Sequence, residues 1–449
     1  MAVWSEVNLS ELELTRFDAE YYKPEYLIAK SMVGERKLKT YGILVLHPAE
    51  FLRRYTETGL FILLAQNNRG NYYDWSVKHY APKNLESTVL RNCLIFGDVT
   101  ITRSGANFGQ TSVIGIELEN QNIYACADLL VLRSPSIDGH LISTYLNTYI
   151  GKLLLDRGAY GAAQPHIAPT YIKEIPFPEL LIQHEIEISE LVKKSKQLSQ
   201  QAANIFAQTQ QLLESELGLD KLSFQKPMGY TAQFSELELS RRLDAQHYQA
   251  KFTQLLAHLA KFPNRKIRDI QTCNRRGIQP IYVNDGNFDV INSQHLGPKH
   301  INYDGLEKTS HRYFSASPVA HIRKNDLLIY TTGAYIGRTN VYLSDAPAFA
   351  SNHVNILCIT PDIDAAYMAM VFQSVVGQFQ TQKHSRGSAQ AELYPNDIDK
   401  FVVPILPFEQ QKTIGDLVRE SLVKQRESER LLEQAKTRVE QLIEAAVQS

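Results

Sequence analysis

The chain has 449 residues, 44% of them hydrophobic and 21% charged, with a formal net charge of −1 at pH 7. Such a length allows roughly two to four domains, and the near-neutral balance excludes a global field that attracts nucleic acid. Any nucleic-acid surface is therefore local or shared with a partner.

The N-terminus, Met1-Ala-Val-Trp-Ser-Glu, has neither the basic start nor the apolar core of a signal peptide. No apolar run approaches the ~18 residues of a membrane helix, so the expected location is cytoplasmic, with no membrane partner. The four cysteines, Cys93, Cys126, Cys273 and Cys358, are scattered, without CxxC or metal spacing. They read as reduced thiols, and no metal site is expected.

In chain order, residues 1–178 read as a mixed globular region. Short β-rich runs at 60–64, 93–96 and 129–132 are punctuated by turn residues, and a helical stretch follows at 141–155. Residues 179–218 form a helix, without glycine or proline from 180 to 217. Ile188, Leu191, Ser195, Leu198, Ala202, Ile205, Thr209 and Leu212 step along it at alternating spacings of three and four, a heptad seam.

Residues 219–404 repeat the mixed pattern, with β-rich runs at 326–330 and 354–357 and a helix near 365–379. Residues 405–449 hold a second long helix, over about 408–447, with Ile414, Val418, Ser421, Gln425, Ser428, Leu432, Ala435, Val439 and Leu442 at similar spacing. Either each helix packs on its own domain, or the two pair. Persistence of the seam in both favours pairing, and small residues at Ser195, Ala202, Ser421, Ser428 and Ala435 would allow close approach. Two equivalent helices in one chain pair most simply antiparallel, at ~1.5 Å per residue about 57 Å long.

The second half repeats the first. Arg16-Phe-Asp18-Ala19-Glu-Tyr-Tyr22 returns as Arg242-Leu-Asp244-Ala245-Gln-His-Tyr248, and GDVTITRSGANFGQT (97–111) as NDLLIYTTGAYIGRT (325–339). Glu11-Leu-Glu-Leu14 returns as Glu236-Leu-Glu-Leu239. Pro135, Asp138, Gly151, Gly161, Gln164, Pro178 and Ser195 each have an identical partner 226 positions on. A repeat this long is a duplicated domain, not a solenoid unit of about 20–50 residues. The expected fold is α+β: two duplicated globular domains separated by two long helices pairing as an antiparallel coiled coil.

Catalytic signatures are missing. The sequence has no phosphate-binding loop, GxSxG, HExxH, paired-cysteine zinc signature or aminomethyltransferase Asn/Asp-Pro-Pro-aromatic motif. The glycines of 105–109 and 333–337 lie between β-like runs and read as hairpin turns, or as turns pressed against a nucleic-acid backbone. Asp18 and Asp244 occupy matching places beside Arg16 and Arg242. They are a structural Arg–Asp pair or helix caps, or the acids of a duplicated enzyme. No partner base recurs at a fixed distance in both halves.

Residues that hold phosphates and read base edges cluster where the halves differ. The DNA-contact candidates of the first half are Arg53, Arg54, Gln66, Asn67, Asn68, Arg69, Tyr72, Lys78, Arg103 and Ser104. Those of the second are Arg275, Arg276, Lys299, Arg312, Thr331, Thr332, Tyr335, Lys383 and Arg386. The run from Gln66 to Tyr73 is the best single candidate.

The chain resembles the DNA specificity subunits of type I restriction-modification systems. The resemblance covers the full length. It rests on the RFDAEYYKPEY / RRLDAQHYQAKF start, the glycine turn, the GAAQPHI / GSAQAEL loop, and the PFPELLIQHEIEISELV / VPILPFEQQKTIGDLV exit into a long helix. Each motif alone is weak; their order, found twice, is specific.

The resemblance implies a non-catalytic subunit. Residues 1–178 and 219–404 would be target recognition domains, each reading one half of an asymmetric bipartite site in double-stranded DNA. The helices of 179–218 and 405–449 would set the spacing and dock two modification subunits, with restriction subunits added. S-adenosylmethionine, ATP and Mg would belong to those partners, leaving this chain with no cofactor. The alternatives are the specificity chain of a type II system with fused methylation and cleavage, or a duplicated acid/base enzyme.

Overall fold

The computed structural model describes residues 4–9, 12–13, 16–75, 77–105, 107–115, 121–161, 164–224, 229–387 and 390–448. Glu11 and Leu14 of the repeated start, Ala106 of the glycine turn, and Ala162, Ala163, Ser388 and Ala389 of the GAAQPHI / GSAQAEL loops lie outside the described residues. Helix and sheet are mixed throughout. The chain divides into two compact units, residues 1–199 with 426–449, and residues 200–425.

In the first unit the strands are β1 (Leu44–Leu46), β2 (Leu60–Leu63), β3 (His79–Ala81), β4 (Val99–Thr102), β5 (Thr111–Val113), β6 (Ile123–Ala125), β7 (Leu129–Arg133), β8 (Ala159–Tyr160) and β9 (His166–Ile167). One sheet has the order β1-β7-β4-β5, all antiparallel; a second has the order β3-β2-β6, with β2 and β6 parallel. Alternation along β7 explains how they stack. Leu130 and Leu132 face a core with Leu141, Ile142 and Tyr145 of the following helix, while Leu129 and Val131 join Phe61, Leu63 and Ile123 of the smaller sheet. Covered on both faces, these strands read as apolar runs. The β-rich run expected at 93–96 is not a strand. Cys93 makes one isolated bridge, and Ile95 and Phe96 are exposed in the turn before β4.

The second unit contains β10 (Asn264–Lys266), β11 (Gln271–Arg276), β12 (Phe288–Ile291), β13 (Glu307–Thr309), β14 (His321–Ile322), β15 (Leu327–Tyr330), β16 (Thr339–Val341), β17 (Ala348–Ala350), β18 (Val354–Ile359) and β19 (Val402–Pro404). Its main sheet, β11-β18-β15-β16, follows the plan of the first, and its second sheet, β13-β12-β17-β14, repeats β3-β2-β6 with one strand, β14, added, again with one parallel pair, β12 and β17. Leu327, Ile329 and Leu357 face helices; Leu328 and Ile356 face the second sheet.

The helix expected at 141–155 is two helices, Gly139–Asn147 and Tyr149–Arg157, and the one expected near 365–379 is also two, Ala365–Gln373 and Val375–His384. Hydroxyls break them. Thr148 Oγ1 accepts from Gly151 N at 3.1 Å, and Ser374 Oγ accepts from Val376 N at 3.2 Å, so each ends one helix and caps the next. The glycines behind the caps are steric necessities. A Cβ on Gly151 would lie 2.1 Å from Tyr145 O, and one on Gly377 would lie 2.2 Å from Phe372 O.

Glu185–Glu216 and Phe408–Gln448 are the long helices. Each unit contains a part of both. In the first, Ile188 and Val192 share a core with Ala435, Val439 and Leu442; Ser195 and Ser428 are hydrogen-bonded to one another. In the second, Phe206 and Leu213 share a core with Ile414 and Val418, and Ser421 Oγ donates to Ala202 O at 2.8 Å. Partner numbers fall on one helix as they rise on the other, so the segments run antiparallel within each unit.

The buried stripe corrects the phase of the first seam. Ile188, Ser195, Ala202 and Thr209 are buried as expected, but the positions between them are Val192, Phe206 and Leu213; Leu191, Leu198, Ile205 and Leu212 are only half-buried. On the C-terminal helix Ile414, Val418, Val439 and Leu442 are buried, while Leu432 is half-buried beside a buried Leu431.

Candidate nucleic-acid interface

Three loops meet in the first unit. The β4–β5 connection is a hairpin, closed by Gly109 N donating to Thr102 O at 2.9 Å and Thr102 N to Gln110 O at 2.8 Å. Gly105 (φ +93°) and Gly109 (φ +74°) supply its left-handed turns. Beside it, Ile167 N of the β8–β9 hairpin donates to Arg103 O at 3.2 Å. The segment after β2 is tied in by Asn107, which donates to Ala65 O at 3.4 Å and accepts from Arg69 Nη1 at 3.1 Å.

Around these loops lie amide, basic and aromatic side chains. Gln66 Nε2 and His79 Nε2 are 2.9 Å apart, and the His79 ring centre is 4.9 Å from that of Tyr55. Arg53 pairs with Asp128 at 2.9 Å, and Arg103 Nη1 reaches His47 Nε2 at 3.2 Å. Arg53, Arg54, Gln66, Arg69, Tyr72 and Lys78 are exposed. This edge-on array of donors, acceptors and cations can contact phosphates and base edges.

The second unit builds the matching corner. Gly337 N donates to Tyr330 O, and Tyr330 N to Arg338 O, both at 2.8 Å; Gly333 N donates to Ala391 O at 2.9 Å. Gly333 (φ +108°) and Gly337 (φ +86°) again turn the loop. Here cations lie over rings. The Arg338 guanidinium is 3.7 Å from the Tyr335 ring centre, and that of Arg276 is 4.6 Å from the Tyr394 ring centre. Arg386 pairs with the buried Asp397 at 2.8 Å. Tyr335, Arg386 and Tyr394 are exposed.

Several residues expected to touch DNA instead hold the fold. Asn67 is buried, accepting from Leu64 N at 3.0 Å and donating to Asp74 O at 2.8 Å. Asn68 is fully buried, donating to Thr100 O at 3.1 Å and Gln110 O at 2.9 Å and accepting from Ser112 Oγ at 2.6 Å. Ser104, Thr331 and Thr332 are buried as well, with Thr331 Oγ1 donating to His353 O at 2.9 Å.

Arg275 Nε donates to Val319 O at 2.6 Å, Arg276 Nη2 to Leu393 O at 2.9 Å, and Lys383 Nζ to His247 O at 3.1 Å. Burial pushes the Lys383 ammonium pKa down, which does not suit a phosphate contact. Lys299 and Arg312 are exposed, Lys299 with its ammonium 5.2 Å from the Phe206 ring centre. Sequence reasoning missed Asn107, Arg338 and Tyr394 as candidates. The signal was present for Arg338, which replaces Gln110 at the matching place in an otherwise parallel turn.

The matching aspartates are structural. Arg16 Nε donates to Asp18 at 2.7 Å and its Nη2 to Ala159 O at 3.1 Å, while Asp18 accepts from Tyr21 N at 3.1 Å. Arg242 Nε donates to Asp244 at 2.5 Å and its Nη2 to Ser385 O at 2.9 Å. The arginine hydrogen bond holds both carboxyl pKa values below the ordinary range. Among the described residues no three His, Cys, Asp or Glu side chains are grouped to hold a metal ion. No helix among them is long and apolar enough to cross a membrane.

No family model matches the chain, and no curated protein matches it. Similar solved structures are the type I restriction-modification system S subunit from M. genitalium (13% identity, TM-score 0.45, covering 91% of this chain and 94% of that one) and the HsdS subunit from Thermoanaerobacter tengcongensis (12% identity, TM-score 0.29, 90% and 95%). Another is a chain from work on assembly and conformational transition of the type I R-M system (12% identity, TM-score 0.31, 90% and 97%). Likenesses of this size leave the functional reading to the chain's own residues.

Proposed function

We propose that this chain is the non-catalytic DNA specificity subunit of a type I restriction-modification complex. The observation that carries the reading is that one sheet plan and one glycine hairpin are built twice, on different exposed side chains. Two such corners suit recognition of two unlike half-sites in one bipartite sequence. Arg53, Gln66 and Arg69 would serve one half-site, and Tyr335 and Arg338 the other. The two long helices would act as an antiparallel coiled coil that sets the unread spacer and docks two modification subunits, with restriction subunits joining them. S-adenosylmethionine, ATP and Mg would be bound by those partners, and methylation would be theirs.

The test is methylation mapping in a host expressing the chain with its modification partner, against one lacking the chain. The expected result is methylated adenines in one bipartite motif that depends on the chain. A pattern unchanged by removing the chain, or a single uninterrupted motif, would refute the reading.

A further inference from the structure

Cys273 and Cys358 are 85 positions apart in sequence, yet face one another across the β11–β18 ladder, with their sulfurs 2.6 Å apart. Both are free thiols and half-buried. Cys358 Sγ also reaches Asp326 Oδ1 at 3.2 Å. The pair opens on a groove of about 510 Å³ lined by Arg275, Pro318, Val319, His321, Arg323 and Asp326. Directly opposed residues of antiparallel strands have Cα separations of about 4.5–5.5 Å, within the range a disulfide spans. Two thiols in contact, a carboxylate beside one and a groove with two arginines form a site outside the nucleic-acid reading.

We propose that Cys273 and Cys358 are a redox-active dithiol, oxidised through this groove by an anionic low-molecular-weight disulfide of the glutathione class. Cys273 is the attacking thiol. Asp326 Oδ1 lies against Cys358 Sγ and disfavours a thiolate there, whereas Arg275 stands two residues from Cys273 on β11; in agreement, contact between the two thiols lowers the pKa of Cys273 and raises that of Cys358. The Cys273 thiolate bonds to one sulfur of the reagent, whose S–S bond breaks; the first thiolate leaves and is protonated by solvent. Cys358 then attacks the Cys273 sulfur while its proton passes to Asp326 Oδ1. The mixed disulfide breaks, and the second thiolate leaves and takes up a proton. Two electrons pass from the cysteine pair to the reagent, which becomes two thiols. Arg275 and Arg323 supply positive charge for its carboxylates. The bond pins β11, which also carries Arg275 and Arg276.

The experiment treats the reduced full-length chain with oxidised glutathione, alkylates the remaining thiols and maps peptides by mass. A Cys273–Cys358 disulfide is expected, with Cys93 and Cys126 still alkylated. Cys358→Ser should trap glutathione on Cys273, and Cys273→Ser should leave Cys358 unmodified. The neutral hydroxyethyl disulfide should react more slowly than oxidised glutathione. Alkylatable Cys273 and Cys358 in a chain already glutathionylated at Cys93 would overturn the proposal, as would an adduct on Cys358 alone. Equal rates with the two reagents would overturn the role given to Arg275 and Arg323.

Discussion

Ser195 and Ser428 hold each other reciprocally: each hydroxyl donates to the other's backbone carbonyl at 2.8 Å, and the two oxygens are 3.0 Å apart. Both are buried. Only a small side chain lets two helix backbones approach closely enough for this. Ser195→Ala should cost about 1 kcal/mol, the net worth of one such bond. Ser195→Leu should cost more, because it forces the helices apart. Urea unfolding of the two variants checks the order; equal losses would remove the argument from close approach.

Asn68 and Arg69 are adjacent in sequence and opposite in role. Asn68→Ala strands a buried donor and acceptor set, so unfolding free energy should fall by about 2–4 kcal/mol. Arg69→Ala is an exposed change expected to stay within about 0.5 kcal/mol while altering DNA recognition. Thermal unfolding beside methylation mapping separates the two; a stable Asn68→Ala variant would contradict the packing described for it.

These residues show what the sequence could and could not reveal. Both long helices were legible because they lack glycine and proline and keep their apolar stripe over many turns. Their phase was less so, because Leu191 and Val192, like Ile205 and Phe206, are both apolar, and only the packed partner decides which is buried. Amides were ambiguous for a related reason. Asn67 and Asn68 carry the same chemistry as a base-reading amide, and only their backbone partners, up to 42 positions away at Gln110 O, reveal a structural role. The hairpins around Gly105–Gly109 and Gly333–Gly337 were read correctly, since β-like runs on both sides of paired glycines leave few other geometries. The meeting of Cys273 with Cys358 depends on tertiary pairing and left no local pattern.

Asp18 is expected to stay ionised at neutral pH, because the Arg16 hydrogen bond lowers its pKa further below neutrality. It cannot serve as a general acid. Asp18→Asn keeps a side chain able to cap Tyr21 N and loses the partly exposed ion pair, so stability should fall by about 1 kcal/mol or less. Methylation by the assembled complex should persist. Complete loss of activity in a folded variant would restore the catalytic reading.

Acid should weaken the second unit through its histidines. Burial lowers the pKa of His384 to about 3 and that of His300 to about 4, from an ordinary value near 6.5. Between about pH 6.5 and 4 the unfolded chain therefore binds protons that the native unit refuses. Stability falls as pH drops through that window, by at most about 1.4 kcal/mol per pH unit for each histidine, and these groups contribute no slope above pH 7. His384→Phe, which keeps the ring contact with Phe401, should flatten the slope. Urea midpoints from pH 7.5 to 4.5 provide the measurement, and an unchanged slope in the variant would count against it.

Readout should separate by unit. Arg53 and Arg69 are on the first corner, and Arg338 is on the second. A cation that only holds a phosphate contributes counterion release without sequence information, so its loss weakens all sites alike and lowers the salt slope by about one. A cation that reads a base costs about 1–3 kcal/mol and relaxes one position of the motif. Arg338 lies over the Tyr335 ring, 3.7 Å from its centre, which holds the guanidinium in place, and a guanidinium so held can make paired hydrogen bonds to a base edge. Arg338→Ala in the assembled complex should therefore degrade one base position in the second half-site and leave the first intact. Arg69→Ala should do the reverse. Methylation mapping reads the motif, and binding titrations at several salt concentrations read the slope. If either substitution blurred both half-sites in a folded complex, recognition by separate units would be wrong.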